Sequence, residues 1–323
     1  MTKRTRKSVD AGRLDVAPAG NTVQTLTLRL PPMLNVIESI RSNPITVSFE
    51  IGELLFAQFS CPGTEPVGVW TQTDYLIHVV SGIMTWKDHT GTWSTEAEQT
   101  VYFKKGVKII PEHSGDDICL QLYFIPDAFV RETVMELATE LPPLPSYSES
   151  ADAREMTIRM NNDIALEAFF HAMAIYFAAD EKPPEALLKL KLKELLTSIL
   201  VGQNNQPLSA YLRYLAACGA PPIEAIMEMN FCYNLSIDTF AQMCHRSLSS
   251  FKREFRNRYG ASPGKWLLER RLEHSAFLLQ TTGMSVTEIM FECGFEDLSH
   301  FSRAFKDRFG KSPTAFREQA VYS

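Results

Sequence analysis

The sequence contains nearly the same thirteen residues twice, as FKREFRNRYGASP over residues 251–263 and as FSRAFKDRFGKSP over residues 301–313. Each copy has an aromatic residue at its first, fifth and ninth positions, Arg and Lys between them, and Gly-X-Ser-Pro at its end. Aromatic residues four positions apart fall on one stripe of an α-helix, and a Gly followed by a Pro is typical of a helix end. The repeat therefore predicts two copies of one amphipathic helix.

The residues ahead of the first copy predict a short helix and a tight turn. Ser236 and Ser247 stand where helix N-caps are expected, and residues 244–247 leave room only for a turn between the helices. A short helix, a turn and a second helix with an outward basic face form a helix-turn-helix. The stripe predicted to be buried comprises Phe251, Phe255 and Tyr259. The residues predicted to face phosphates and base edges are Ser249, Lys252, Arg253 and Arg256.

The second copy repeats this design. Ser285 is placed as an N-cap, and Gly294 supplies a turn at which a positive φ is easily adopted. Residues 265–283 between the copies are amphipathic and unbroken, which predicts a stiff helical strut. On one side of B-DNA, successive major-groove faces lie about 34 Å apart. Two DNA-reading helices held apart by one strut are therefore predicted to enter two successive major-groove faces on the same side of the duplex. The outward residues predicted in the second copy are Leu298, Ser299, His300, Arg303 and Lys306.

The stretch from about Leu235 to Glu318 resembles the DNA-binding domain of the AraC/XylS family of bacterial transcription regulators. The second copy, with GF, F, FKDRFG and SP in order, carries most of this resemblance. It implies a seven-helix, all-α domain with two helix-turn-helix units that binds double-stranded DNA and activates, or sometimes represses, transcription, with RNA polymerase as a further partner. The base-facing positions that the family pattern implies are Ser249, Lys252, Arg253, Leu298, Ser299 and Arg303. Phosphate contacts are expected from Arg256, Lys306 and Lys311.

Three residues depart from the family pattern. His245 stands where the first turn usually has Gly, so either this His adopts the left-handed conformation or the turn differs slightly. Met290 replaces a small residue at a tight helix crossing. Leu298 is an unusual apolar reader, which either touches a thymine methyl group or makes no base contact.

The first half of the chain has a different sequence pattern. Runs rich in β-branched and aromatic residues alternate with turn-forming segments such as CPGTEP and HSGDD, which predicts an all-β sandwich or barrel. The family resemblance identifies this part as a cupin-like β-barrel, so the expected chain is a multidomain protein of β and α domains. The predicted domains are a disordered basic arm over 1–22, a barrel sensor domain over 23–129, a helical linker and dimerisation region over 130–220, and the DNA-binding domain over 221–323.

The helix predicted over residues 183–200 has a wide apolar face of leucines. Such a face needs a partner, and the sequence leaves open whether this is the chain's own β-domain or the same helix in a second copy. If the same helix in a second copy covers this face, the protein is predicted to be a homodimer. The order of barrel, leucine-rich helices and DNA-reading units resembles the ExsA-like regulators, the branch of the family that controls type III secretion.

The effector of the β-domain stays open at this stage. The aromatic residues Phe49, Phe59, Trp70, Tyr75 and Trp86 are candidates to line a pocket for an apolar small molecule. They are equally able to fill the core of the domain, and the ExsA-like layout implies a regulatory protein as the effector instead.

Charge and cysteine usage narrow the class of protein further. The formal net charge is −6, yet residues 231–323 contain 13 Lys and Arg against 10 Asp and Glu, which segregates basic charge into the repeat region. The six cysteines form no Cys-X-X-Cys pair, which argues against a zinc knuckle and a disulfide framework and favours a reducing cytoplasm. The sequence shows no secretory signal and no apolar run of the roughly 20 residues that a membrane span needs.

Two other classes of function compete with the regulator. A cupin-type small-molecule-binding enzyme with a helical appendage would hold a metal, but His78, His89 and His113 are isolated and no His-X-His pair occurs. No nucleophile or paired carboxylate stands in a recognisable catalytic arrangement, so neither cofactor nor metal is expected. A protein-only adaptor would have no need for two basic helices at a fixed spacing.

Overall fold

The computed structural model describes residues 33–44, 46–61, 66–88, 91–111, 117–143, 156–217 and 222–321. The basic arm predicted over residues 1–22 lies outside the described residues, as do residues 23–32 of the predicted barrel domain.

Strands fill the first part of the chain and helices the rest. The strands are β1 (Met33–Asn35), β2 (Val47–Ile51), β3 (Leu54–Cys61), β4 (Val67–Thr71), β5 (Asp74–Ser81), β6 (Ile83–Asp88), β7 (Gly91–Glu96), β8 (Thr100–Phe103), β9 (Gly106–Ile110), β10 (Ile118–Ile125) and β11 (Thr157–Met160). The helices are α1 (Val36–Ser42), α2 (Asp127–Glu136), α3 (Ile164–Ala178), α4 (Glu185–Val201), α5 (Gln206–Ala217), α6 (Ile223–Asn230), α7 (Ile237–Met243), α8 (Leu248–Tyr259), α9 (Pro263–Thr281), α10 (Val286–Glu292), α11 (Leu298–Phe309) and α12 (Pro313–Val321).

The described strands form two packed sheets instead of a closed barrel. One sheet has the order β1-β4-β9-β6-β7, and the other has the order β11-β8-β5-β10-β3-β2. Between them lies an aromatic core in which the Tyr75 ring stacks on Phe124 at 5.1 Å and Trp86 meets Phe103 edge-on. The prediction of a β-rich domain ahead of an all-α domain is confirmed, and a cupin-like sandwich replaces the expected barrel.

Helices α2 to α5 cover the outer face of the six-stranded sheet. Because side chains alternate along a strand, Leu76 and Tyr102 point to this helical layer while their neighbours point into the sandwich. The apolar face of α4 packs here, within its own chain; its buried members are Leu188, Leu192, Leu195, Leu196, Ile199 and Leu200. This face is therefore covered within its own chain, by helices α2, α3 and α5 together with the six-stranded sheet.

A buried carboxylate ties the helical layer to the sheet. Asp74 is inaccessible to solvent, and its Oδ2 accepts hydrogen bonds from the hydroxyls of Tyr102 at 3.0 Å and Tyr211 at 2.7 Å. Its Oδ1 accepts from the backbone N–H of Lys105 at 2.8 Å. Burial, reinforced by the Asp74 charge, raises the pKa of both tyrosines well above its usual value. The tyrosines therefore stay protonated and keep donating to Asp74.

Lys108 of β9 is a buried cation inside the sandwich. Its side chain is 1% exposed, its Nζ lies 5.4 Å from the centre of the Phe103 ring, and it makes no hydrogen bond to any described residue. Burial disfavours the charged form and lowers the pKa of Lys108 from 10.5 to about 7. The folded protein therefore releases this proton well below the pH at which the unfolded chain does.

This difference predicts how stability depends on pH. Between about pH 7 and pH 10 the unfolded chain holds the Lys108 proton and the folded chain does not, so this residue adds to the free energy of unfolding as the pH rises. Burial raises the pKa of the thiols of Cys232, Cys244 and Cys293, which act in the opposite direction. Between pH 7.5 and 9.5 we therefore expect the parent to gain on the order of 2 kcal/mol relative to Lys108→Met in urea unfolding. An exposed lysine variant, Lys252→Met, should keep the parent's pH profile. Equal pH profiles for the parent and Lys108→Met would contradict the expectation.

Candidate nucleic-acid interface

The two helix-turn-helix units, α7–α8 and α10–α11, use matching caps. The hydroxyl of Ser236 accepts a hydrogen bond from Thr239 N at 3.0 Å at the start of α7. In the second unit Ser285 and Glu288 form a reciprocal capping box at the start of α10. The predicted N-caps are confirmed. The reading helices α8 and α11 end in the same way, at Gly260 and Gly310 in the left-handed conformation.

The turns inside the two units also match. His245 has a φ of 54° in the first turn, and Gly294 has a φ of 77° in the second. In each turn the next residue closes the helix end with a backbone hydrogen bond, from Arg246 N to Ala241 O and from Phe295 N to Met290 O, both at 3.0 Å. His245 therefore adopts the left-handed conformation, one of the two outcomes left open by the sequence.

The aromatic stripes lie inward as the repeat predicts. Phe251 and Phe255 of α8 are fully buried, as are Phe301 and Phe305 of α11. The third aromatic of each stripe, Tyr259 or Phe309, is half-buried, and each lies about 4.5 Å from the ring before it. Both helices thus present one fixed face to solvent.

Nine of the ten residues predicted to contact DNA lie on these exposed faces, and the tenth, Lys311, is exposed just after the end of α11. The first unit contributes Ser249, Lys252, Arg253 and Arg256, and the second contributes Leu298, Ser299, His300, Arg303 and Lys306. Leu298 is the apolar exception, with 45% of its surface exposed at the first position of α11. The structure brings the predicted residues together as two separate clusters, one on each helix.

The cations on the two faces have no carboxylate partner among the described residues. Glu254, the residue next to Arg253 in the chain, instead accepts two hydrogen bonds from Arg246, at 2.7 and 3.0 Å. Farther along each helix, Arg258 pairs with Glu224, and Arg308 with Glu273. No such ion pair forms within the described residues for Lys252, Arg253, Arg256, Arg303 or Lys306. Their charges are available to an anionic ligand.

One side chain of helix α9, which sequence reasoning missed, joins the loop ahead of the first unit to the turn of the second. The Arg271 guanidinium donates hydrogen bonds to three backbone carbonyls, those of Phe231 at 2.6 Å, Tyr233 at 2.7 Å and Gly294 at 3.3 Å. Burial lowers the pKa of Arg271 from its ordinary value, although nearby groups favour its charge. No sequence signal separates Arg271 from the half-buried Arg270 beside it.

The five aromatic residues proposed as an effector pocket belong to three different clusters. Tyr75 and Trp86 lie in the core between the sheets, with Phe59 at its edge. Phe49 lies on the opposite face of its sheet, where its ring stacks on Phe177 of α3 at 5.2 Å. Trp70 packs against the cluster that joins β9 to the DNA-binding domain. The five side chains therefore do not line one common pocket.

A cavity of about 510 Å³ lies elsewhere in this domain, between the β2–β3 hairpin, α2 and α4. Leu54, Phe129 and Leu190 give it apolar walls, and Glu132 and Lys189 add charge. Its lining comes from three segments that are far apart in the chain, so no local pattern marked it.

The environment of His78 is that of a packed core residue. Its Nδ1 lies 3.1 Å from the hydroxyl of Thr100, and its ring stacks on Phe170 with centroids 4.0 Å apart. Burial lowers the pKa of His78 to about 4, so the imidazole is neutral near pH 7. Within the described residues, no three His, Cys, Asp or Glu side chains are grouped as metal ligands.

Two family models match the chain in separate regions. The model described as a helix-turn-helix domain matches residues 240–319, which run from α7 into α12. The model described as the ExsA N-terminal regulatory domain matches residues 74–211, which run from β5 into α5. The chain belongs to the AraC/XylS family of transcription regulators.

Similar proteins in this family include two bacterial regulators. The virulence regulon transcriptional activator VirF of Yersinia enterocolitica is 23% identical over 226 residues, which cover 70% of this chain and 82% of VirF. The HTH-type transcriptional regulator ExsA of Pseudomonas aeruginosa is 31% identical over 119 residues, 37% of this chain and 42% of ExsA. Among solved structures, apo ToxT of Vibrio cholerae matches 83% of this chain and 97% of its own at 14% identity, with a TM-score of 0.40.

No helix within the described part of this AraC/XylS-family chain has the length and apolar character needed to cross a membrane.

Proposed function

We propose that this AraC/XylS-family chain is a sequence-specific DNA-binding regulator, acting as an activator in the bacterial cytoplasm. The observation that carries the proposal is the pair of matching helices whose outward cations have no carboxylate partner among the described residues. Base contacts are assigned to Ser249, Lys252 and Arg253 in the first unit and to Leu298, Ser299 and Arg303 in the second. Arg256, His300 and Lys306 are assigned to phosphates, which position the protein without reading sequence.

Control of this activity is assigned to the N-terminal domain, through an effector or a regulatory protein. The match to a regulatory domain over residues 74–211 supports this division of labour. Its aromatic residues fill separate clusters, while the cavity beside α4 offers room for a small molecule. RNA polymerase and a second copy of the chain complete the proposed partners. Membership of a family of transcription regulators favours this function over the cupin-type enzyme.

Substitution of Arg303 tests the assignment directly. We expect Arg303→Ala to weaken binding to a selected site by about 1–3 kcal/mol, roughly 5- to 150-fold, and to relax discrimination at the base it contacts. Lys306→Ala should weaken all sequences alike and reduce the salt dependence of binding. Gel-shift competition across sequences and salt concentrations measures both effects.

Arg308→Ala is the matched control, because Arg308 lies on the same helix but pairs with Glu273. It should bind nearly as the parent does. If Arg303→Ala binds every sequence like the parent, Arg303 has no reading role.

A further inference from the structure

Both helix-turn-helix units contact the β-sandwich, at two separate places. In the first unit, Nε2 of His245 lies 3.0 Å from the carbonyl oxygen of Gln72, in the turn between β4 and β5. In the second unit, the Glu292 carboxylate at the end of α10 accepts hydrogen bonds at 2.9 and 3.1 Å from Nζ of Lys87 on β6. We call these two contacts the brace. They attach one sheet scaffold to both DNA-reading units.

A packed seam lies alongside the brace. The backbone N–H of Val107 on β9 donates a 2.9 Å hydrogen bond to Oδ1 of Asn230, which is fully buried at the end of α6. Val107 also packs in one apolar cluster with side chains of α6, α7 and α8. The next strand residue, Lys108, points the opposite way, into the sandwich. One face of strand β9 thus packs inside the sandwich, and the other packs against the DNA-binding domain.

The conformation of His245 indicates that its contact with Gln72 has a function. A left-handed conformation costs a residue other than Gly about 1–2 kcal/mol, and the matching position of the second unit is Gly294. Glycine at 245 would avoid this cost but would lose the hydrogen bond to Gln72. When a strained backbone conformation is retained at one residue, this is evidence that the side chain of that residue has a role at that position. The contact to the sandwich is what this side chain gains.

The brace leaves the reading faces open. The outward side chains of α8 and α11 are exposed while both contacts are formed, so the sandwich does not cover them. Its two attachment points instead restrict how α8 and α11 can move relative to each other, in addition to the restriction from α9. A binding surface that is ordered beforehand loses less entropy when it binds.

We propose that the β-sandwich braces the two units in one relative orientation and thereby raises affinity for a site that both units occupy together. This rests on the proposed function. It also defines a route of control, because an effector or protein that moves the β4–β5 turn or β6 changes the binding of tandem sites alone.

The test uses the full chain and two duplexes. The first is a duplex of about 20 base pairs, enough for two major-groove windows, selected by the parent from a random library. The second is the same duplex with one half-site scrambled. For the double variant His245→Gly with Glu292→Ala, we expect affinity for the first duplex to fall about three- to tenfold and affinity for the second to stay within about twofold. His245→Gly retains the left-handed turn, so the first unit keeps its geometry.

Two further variants separate the brace from general effects. Exchanging the charges, as Lys87→Glu with Glu292→Lys, should restore tandem affinity relative to Glu292→Ala alone. Glu50→Ala removes a comparable ion pair, with Arg41, that lies within the N-terminal domain, and should change neither affinity. Equal losses on both duplexes, or no loss on the tandem duplex, would overturn the brace. A parent chain that selects no duplex at all would overturn the proposed function and the brace with it.

Discussion

Arg271→Ala is expected to lower the free energy of unfolding of the DNA-binding domain by about 2–4 kcal/mol. The guanidinium makes three hydrogen bonds to carbonyls from two separate segments, the loop at Phe231 and Tyr233 and the turn at Gly294. Hydrogen bonds from a charged donor are stronger than neutral ones. Removing the donor takes a partner from three buried carbonyls, although that of Tyr233 still accepts a hydrogen bond from Leu235 N at 2.9 Å. Urea unfolding of the full chain, followed by helical circular dichroism, measures the loss.

Arg270→Ala supplies the matched control on the next residue of the same helix. Arg270 pairs with Glu228 at 3.0 Å, and both side chains are more than a third exposed. A solvent-exposed pair contributes little, so we expect a loss of about 1 kcal/mol or less. If the two variants are equally stable, the three carbonyl contacts of Arg271 do not hold the units together.

Gly294→Ala is expected to destabilise the second helix-turn-helix unit by a similar amount, about 2–4 kcal/mol. Its φ of 77° already disfavours a side chain, and an added Cβ would also lie 2.4 Å from the carbonyl oxygen of Cys232. That oxygen belongs to the backbone, so relief requires the chain itself to move. A lowered urea midpoint, together with weaker binding to the selected tandem duplex, is the expected result.

Gly310→Ala separates the two causes of this loss. Gly310 has nearly the same φ, 75°, but no atom lies within 4 Å of an added Cβ. It should therefore cost only the conformational strain, about 1 kcal/mol. Comparable losses for the two variants would show that the close approach to Cys232 is unimportant.

Local sequence patterns predicted the DNA-binding domain well. The helix ends depend on neighbouring residues, such as Ser236 with Thr239 and Ser285 with Glu288, and a short-range pattern carries that information. The outward positions of α8 and α11 follow from the aromatic stripe of the same helix. The sequence left the conformation of His245 open because this residue stands where a Gly is expected, and the structure shows that the turn is left-handed there all the same.

The β-domain was harder to predict because its strands pair over long distances. The short strand β11 lies in the region 130–220, which was predicted to be helical, and it forms because it pairs with β8. The sequence alone did not show which of the aromatic residues proposed for one pocket lie on which face of a sheet. Which of them face each other depends on the side of the sheet that each occupies, so Phe49 and Tyr75 fall in different clusters.

The shared architecture of α8 and α11 has a consequence for retargeting. Each helix begins at a side-chain cap, Ser247 or Asp297, and ends at a left-handed glycine. Each helix packs through aromatic residues at the same three positions, so its solvent-facing residues can be substituted without disturbing this packing. We therefore expect that swapping residues 248–259 and 298–309 reverses the order in which the proposed regulator recognises its two half-sites.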